Sequence, residues 1–270
     1  MTRYDVVGGA QPWSSAGSDE RGQIGVAVIH GFTGNPVSTR PLGEAIAEAG
    51  YTVEVPRLPG HGTHWRDLGR LRYADLRRGA ERSFDDLAER CRSVVLVGFS
   101  LGGTIALDIA ARRCRSGRSE RLAGVATINA QILDRPDPLA KLGGVLQYIF
   151  PVVPAPLVGL TRNDIAKGGD ERAYSLVPAK TGYSVQSALR RVRAGLADVT
   201  VPVLVAGSPQ DHVVDPRNAD AIVQRLGTDD VTRIELQRSY HVATLDHDAE
   251  LLADAIVSFV ERITVGAKTA

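Results

Sequence analysis

Cysteine is nearly absent from this 270-residue chain, with only Cys91 and Cys114 present, so a disulfide scaffold is excluded and a reducing compartment is expected. Cys91 precedes one expected strand and Cys114 ends the helix that follows. The two thiols could therefore meet, unless their Cα atoms lie more than ~7 Å apart. Net charge is also missing, because 32 basic residues nearly cancel 31 acidic ones and leave +1. No global field recruits nucleic acid or an anionic membrane, and a small neutral partner suits that balance. The Arg-rich pieces Arg112-Arg113-Cys114-Arg115 and Arg190-Arg191-Val192-Arg193 are interrupted by apolar positions and read as solvated helix faces. The start of the chain, Met1-Thr2-Arg3-Tyr4-Asp5, has no apolar secretory stretch, so a cytoplasmic location is expected. One uncharged run reaches membrane-spanning length, residues 143–160, but Pro151, Pro154 and Pro156 crowd its second half and argue against stable insertion.

What is present is an alternation. Short β-branched runs at 25–30, 52–56, 93–99, 124–129, 201–206 and 231–236, in which apolar residues predominate, read as strands buried on both faces. Between them, 41–49, 73–90, 101–113, 217–226 and 247–263 carry apolar residues at helical spacing, with Gly50 and Gly227 placed as helix stops. Residues 14–22 read as a polar surface loop. The expected fold class is α/β, a mostly parallel sheet flanked by helices. The rhythm breaks once: about seventy residues separate Asn129 from Val201, too many for a plain loop. We read 131–198 as a cap inserted into a core made of 1–130 and 199–270. Ligands of parallel sheets bind beyond the carboxyl ends of the strands, and the cap would cover that end.

The strongest chemical signal is Gly98-Phe99-Ser100-Leu101-Gly102-Gly103, entered from an apolar strand and leaving into a helix. A serine in that context sits on a sharp turn that lifts its hydroxyl clear, and the flanking glycines remove Cβ atoms that would collide with backbone. A hydroxyl needs a base to become a nucleophile. Of six histidines, only His241 lies in the loop after the last strand, where the chain order Ser, Asp, His requires it. The acid belongs after the strand 201–206. Asp211 falls within the strand-end loop, whereas Asp215 precedes Pro216 and suits a helix cap. An oxyanion needs two donors, and the N–H groups of Leu101 and of Phe32, in His30-Gly31-Phe32-Thr33-Gly34, stand in the right places. Leu146, Ile149 and Val153 in the cap are the candidates to line an apolar acyl channel.

Together with Arg57-Leu58-Pro59-Gly60-His61-Gly62-Thr63, Asp211-His212-Val213-Val214 and Ser239-Tyr240-His241-Val242-Ala243-Thr244-Leu245-Asp246, these motifs resemble the bacterial monoacylglycerol lipases and related small carboxylesterases. The resemblance runs from about Gly9 to about Phe259. It implies an α/β-hydrolase fold with a small cap, no metal or organic cofactor, and hydrolysis of short to medium acyl esters, including monoacylglycerols. It places the triad on Ser100, Asp211 and His241. It also matches Glu171, in Asp170-Glu171-Arg172-Ala173-Tyr174, to an acidic cap residue near the glycerol hydroxyls; a surface helix carboxylate is the other reading of that position. The nearest alternative keeps this machinery but breaks a thioester, amide or carbon–carbon bond; a ligand-binding protein on a hydrolase scaffold is a second alternative, against which the intact Ser100, Asp211 and His241 argue.

Overall fold

The computed structural model describes residues 4–134, 147–160 and 163–265. Its centre is a seven-stranded sheet in the order β1-β3-β2-β4-β5-β8-β9. The strands are β1 (Trp13–Ser15), β2 (Ile24–Ile29), β3 (Thr52–Val55), β4 (Ser93–Phe99), β5 (Leu122–Ile128), β8 (Val203–Gly207) and β9 (Val231–Glu235). Every pairing is parallel except that of β1 with β3. This is the mostly parallel α/β fold expected. The edge strand β1 lies where a polar loop was expected. It is three residues long and its one apolar residue is the half-buried Trp13, against which the Arg40 guanidinium lies, so it is too short to carry a readable pattern.

Two helical layers explain why the strands are apolar at consecutive positions. Ala27, Ile29, Val94, Leu96, Val125, Val203 and Val205 face one way, onto α3 (Tyr73–Arg90), α4 (Leu101–Arg115), α5 (Ala179–Gly195) and α6 (Arg217–Val223). Their neighbours Val26, Val28, Val95, Val97, Ala126, Ile128 and Leu204 face the other way, onto α1 (Arg40–Glu48) and α7 (Ala249–Val265). Strand side chains alternate faces, so a sheet covered twice needs apolar residues throughout. A short helix, α2 (Trp65–Leu68), precedes α3.

The segment read as a cap is of two kinds. Its middle forms a two-stranded antiparallel ribbon, β6 (Val152–Pro154) with β7 (Leu176–Pro178). Its last part is the helix α5, which packs against α3 and α4. Val185, Ala188, Leu189 and Val192 form one apolar stripe, and the first, second and fourth of these join the core beneath α3 and α4. Arg190 and Arg191 fall on its exposed side. Cys91 and Cys114 are free thiols. Among the described residues, no helix is long and apolar enough to cross a membrane.

Candidate active site

Ser100 sits between β4 and α4 with φ 53° and ψ −119°, a conformation that non-glycine residues rarely adopt. The surrounding glycines permit it. A Cβ on Gly98 would stand 2.3 Å from the Gly102 carbonyl carbon, and one on Gly102 would stand 2.1 Å from the Ile29 oxygen. The strain is held by neighbours, since the Ser100 N–H donates to the Ile128 carbonyl at 2.8 Å.

His241 Nε2 lies 3.1 Å from Ser100 Oγ, and His241 Nδ1 lies 2.8 Å from Asp211 Oδ2. The side chains of His241 and Asp211 are 8% and 2% exposed, so water competes little for the bond between them. Asp211 is itself oriented, because its Oδ1 accepts the N–H groups of Val213 and Val214 at 2.7 and 2.8 Å. Asp215 is turned away: it is bound to the Arg217 guanidinium and accepts the Arg217 N–H at the start of α6. Phe99 packs against the His241 ring at 5.0 Å between centroids and gives it an apolar floor.

The Phe32 and Leu101 N–H groups have no hydrogen-bond acceptor among the described residues, which is what donors reserved for a transient anion require. The loop bearing Phe32 is pinned by His30. His30 Nε2 accepts the Leu58 N–H at 3.1 Å, so the ring hydrogen sits on Nδ1 and donates to the Gly31 carbonyl at 2.9 Å. Burial, then the neighbouring His61, holds the His30 pKa well below the usual histidine value, so the ring stays neutral. Burial also lowers His61, to about 4.

A cavity of about 30 Å³ lies over Ser100, bounded by the Phe32 loop, Phe99, Ala155, Leu160, Glu171, Ala173, Tyr174, Val213 and His241. Glu171 is not on a surface helix. It lies in an irregular segment, is 8% exposed, and its Oε2 approaches to 3.8 Å of where a Gly34 Cβ would stand, beside the Phe32 loop. Ile149 is 61% exposed and Val153 is half-buried in the β6–β7 ribbon; neither lines this cavity. Leu146 lies outside the described residues. Among the described residues, no group of three or more His, Cys, Asp or Glu side chains could hold a metal ion.

Two polar residues not singled out in the sequence organise the site. Asn129, at the end of β5 with φ 47°, donates through Nδ2 to the His241 carbonyl at 2.7 Å and accepts the Ser208 N–H at 2.7 Å. It thus ties the strand beside the serine to both loops that carry its partners. The only sequence signal was a polar side chain ending an apolar strand. Asp246 accepts backbone N–H groups from Ala166, Lys167, Tyr240 and His247. Burial opposes its ionisation, but those four donors outweigh it and hold the carboxyl below the usual carboxylate range. A carboxyl with a depressed folded pKa stabilises the fold above its unfolded pKa, and the contribution is lost as pH falls through the folded value. D246N, which turns an amide NH2 toward two of the four donors, should cost about 2 kcal/mol or more at neutral pH. Thermal melts from about pH 3 to about pH 7 should show a shallower acid decline for D246N than for the wild type.

A parallel sheet with a serine at a strand–turn–helix elbow, and with a histidine and an acid delivered by later loops, defines the α/β-hydrolase class. The chain belongs to the family described as serine aminopeptidase, S33, whose profile matches residues 22–248, and within it groups with bacterial lipolytic esterases. It is 36% identical over 259 residues, 95% of this chain and 96% of the other, to the thermostable monoacylglycerol lipase of Bacillus sp. (strain H-257). It is 25% identical over 254 residues, 94% and 97% of the two chains, to a carboxylesterase of Bacillus subtilis (strain 168). A solved structure from work on the metagenome-derived lipolytic enzymes LipS and LipT superposes with a TM-score of 0.86 at 33% identity, covering 96% of this chain and all of the other. The protein is a serine hydrolase of the lipase and esterase type.

Proposed function

We propose that the protein hydrolyses short to medium acyl esters, monoacylglycerols among them, through an acyl-enzyme on Ser100. The observation that carries this reading is the unbroken chain from Ser100 Oγ through the His241 ring to Asp211, at 3.1 and 2.8 Å. As Ser100 Oγ attacks the ester carbonyl, His241 Nε2 takes its proton, and Asp211 stabilises the imidazolium that forms. The Phe32 and Leu101 N–H groups receive the oxyanion, with the first turn of α4 adding its positive end. Collapse of this intermediate breaks the C–O bond, and the leaving alcohol takes the proton from His241. Water then attacks the acyl-enzyme by the same route in reverse, releasing the acid and restoring Ser100.

The ribbon and the irregular segment around it act as the cap within 131–198, with α5 belonging to the core. The cavity has room for about one water molecule, so a bound acyl chain displaces cap side chains that now fill it. Its apolar walls are Ala155, Leu160 and Val213, and Ile149 and Val153 serve the acyl chain only where the cap shifts toward it. Glu171 is the acceptor for an alcohol hydroxyl of the leaving group, because its carboxylate reaches the cavity beside the oxyanion loop. The two free thiols suit a cytoplasmic setting.

A panel of p-nitrophenyl esters and monoacylglycerols of graded chain length, with an aminoacyl anilide and a thioester alongside, tests the reading. Ester turnover with a short to medium optimum is expected; turnover confined to the anilide or the thioester would overturn it. Within that panel, E171Q should lower kcat/KM for monoacylglycerols roughly tenfold or more, the cost of losing a hydrogen bond to a charged acceptor. The p-nitrophenyl esters, which offer no hydroxyl, should change little. Equal losses on both substrate types would remove Glu171 from the alcohol site.

A further inference from the structure

The segment from Asn163 to Lys167 runs behind His241 and takes no part in the chemistry above. Its second side chain, Asp164, is 7% exposed. One carboxylate oxygen accepts the backbone N–H of His241 at 3.1 Å and that of His212 at 3.3 Å; the other pairs with His212 Nδ1 at 2.9 Å. The Asp164 carbonyl accepts the Val242 N–H at 3.0 Å. Since His212 follows Asp211 in the chain, one buried carboxylate grips the backbone on both sides of the Asp211–His241 bond. A buried carboxylate is costly unless its oxygens are hydrogen-bonded, and here each has a donor.

The segment is held at both ends. Asn163, with φ 56°, exchanges two hydrogen bonds with Glu171: its Oδ1 accepts the Glu171 N–H at 2.9 Å, and its N–H donates to Glu171 Oε1 at 3.4 Å. At the other end Ala166 and Lys167 are fastened to Asp246, which also takes the Tyr240 N–H. Ile165 between them is buried in the core layer under α1 and α7. We propose that Asp164 is a positioning residue, through which the cap segment that carries Glu171 sets the register of the two loops delivering His241 and Asp211 to Ser100. The proposal rests on Ser100 being the nucleophile. It goes beyond that reading by making the catalytic geometry depend on a residue outside the core strands and their loops.

The test is the rate at which a fluorophosphonate labels Ser100, followed beside the labelled fraction and the melting temperature. A misfolded population lowers the labelled fraction, whereas misplacement of His241 lowers the rate. D164A removes every side-chain bond and should label about 100-fold more slowly, the cost of a misplacement of about 1 Å, with kcat for a p-nitrophenyl ester falling in parallel and KM little changed. D164N keeps one oxygen for the two backbone donors and turns its amide to His212 Nδ1, which can accept it. It should stay within about threefold of the wild type. Should D164A fail to fold, D164E retains the charge but moves the carboxylate by one methylene, and its labelling should slow at least tenfold or so. Wild-type labelling rates in D164A or D164E would overturn the proposal, even with a lowered melting temperature. So would D164N as slow as D164A, which would assign the effect to charge instead of placement. A wild-type enzyme that takes no label would overturn the reading of Ser100 itself.

Discussion

Replacing Ser100 by alanine should reduce ester turnover by on the order of 10⁴-fold or more while leaving the fold intact. The expectation follows from what the substitution removes. Alanine occupies the same strained turn with one atom fewer, and the Ser100 N–H bond to Ile128 survives, so circular dichroism and melting temperature should stay near wild type. The oxyanion donors and the cavity also survive, so a residual rate above that of water is expected. What is lost is the hydroxyl that, among the described residues, lies within hydrogen-bond reach of His241 Nε2 and would form the proposed acyl-enzyme. Steady-state assay on a p-nitrophenyl ester of about four to six carbons is sufficient, and S100A retaining a tenth of wild-type activity would remove Ser100 from the mechanism.

D211N should be nearly as damaging, costing about 10³- to 10⁴-fold in kcat. Asp211 Oδ1 is committed to two backbone N–H groups, from Val213 and Val214. An asparagine there must present its oxygen to those two donors, which turns its NH2 toward His241 Nδ1. The imidazole is then driven to accept at Nδ1 and to carry its hydrogen on Nε2, the nitrogen that must take the proton from Ser100. The defect is one of tautomer, so substrate binding, and with it KM, should change little. D215N, by contrast, alters an exposed pair with Arg217 and should leave kcat unaffected. A wild-type kcat in D211N together with a large loss in D215N would reverse the assignment of the acid.

The central strands β2, β4, β5 and β8 were legible in the sequence because strands covered on both faces are apolar at nearly every position, a signal that five or six residues suffice to carry. The edge strand β1 was not, because three residues with one half-buried tryptophan look like any surface loop. The helix α5 lay in the stretch read as an insertion, where no helix was singled out. Its apolar stripe, Val185, Ala188, Leu189 and Val192, was present but subordinate to that reading. Similar reasons apply at the site. Ser100 announces itself through residues on either side of it, and Asp211 and His241 through chain order. Asn129 and Asp164 gain their meaning only from loops 112 and 77 residues away, and no local spacing reports such a meeting. The cap residues were the hardest to assign. Apolar character alone does not separate Ile149, which faces outward, from Leu160 on the cavity wall.

Peptide mass mapping of fluorophosphonate-treated enzyme tests whether catalysis passes through a covalent adduct on Ser100. Trypsin releases Ser100 within residues 93–112, where no other serine but Ser93 is present. A single adduct at Ser100 is expected, formed in step with the loss of esterase activity and absent from S100A. Full inactivation with the adduct on any other residue, or esterase activity that persists while Ser100 is fully labelled, would contradict it.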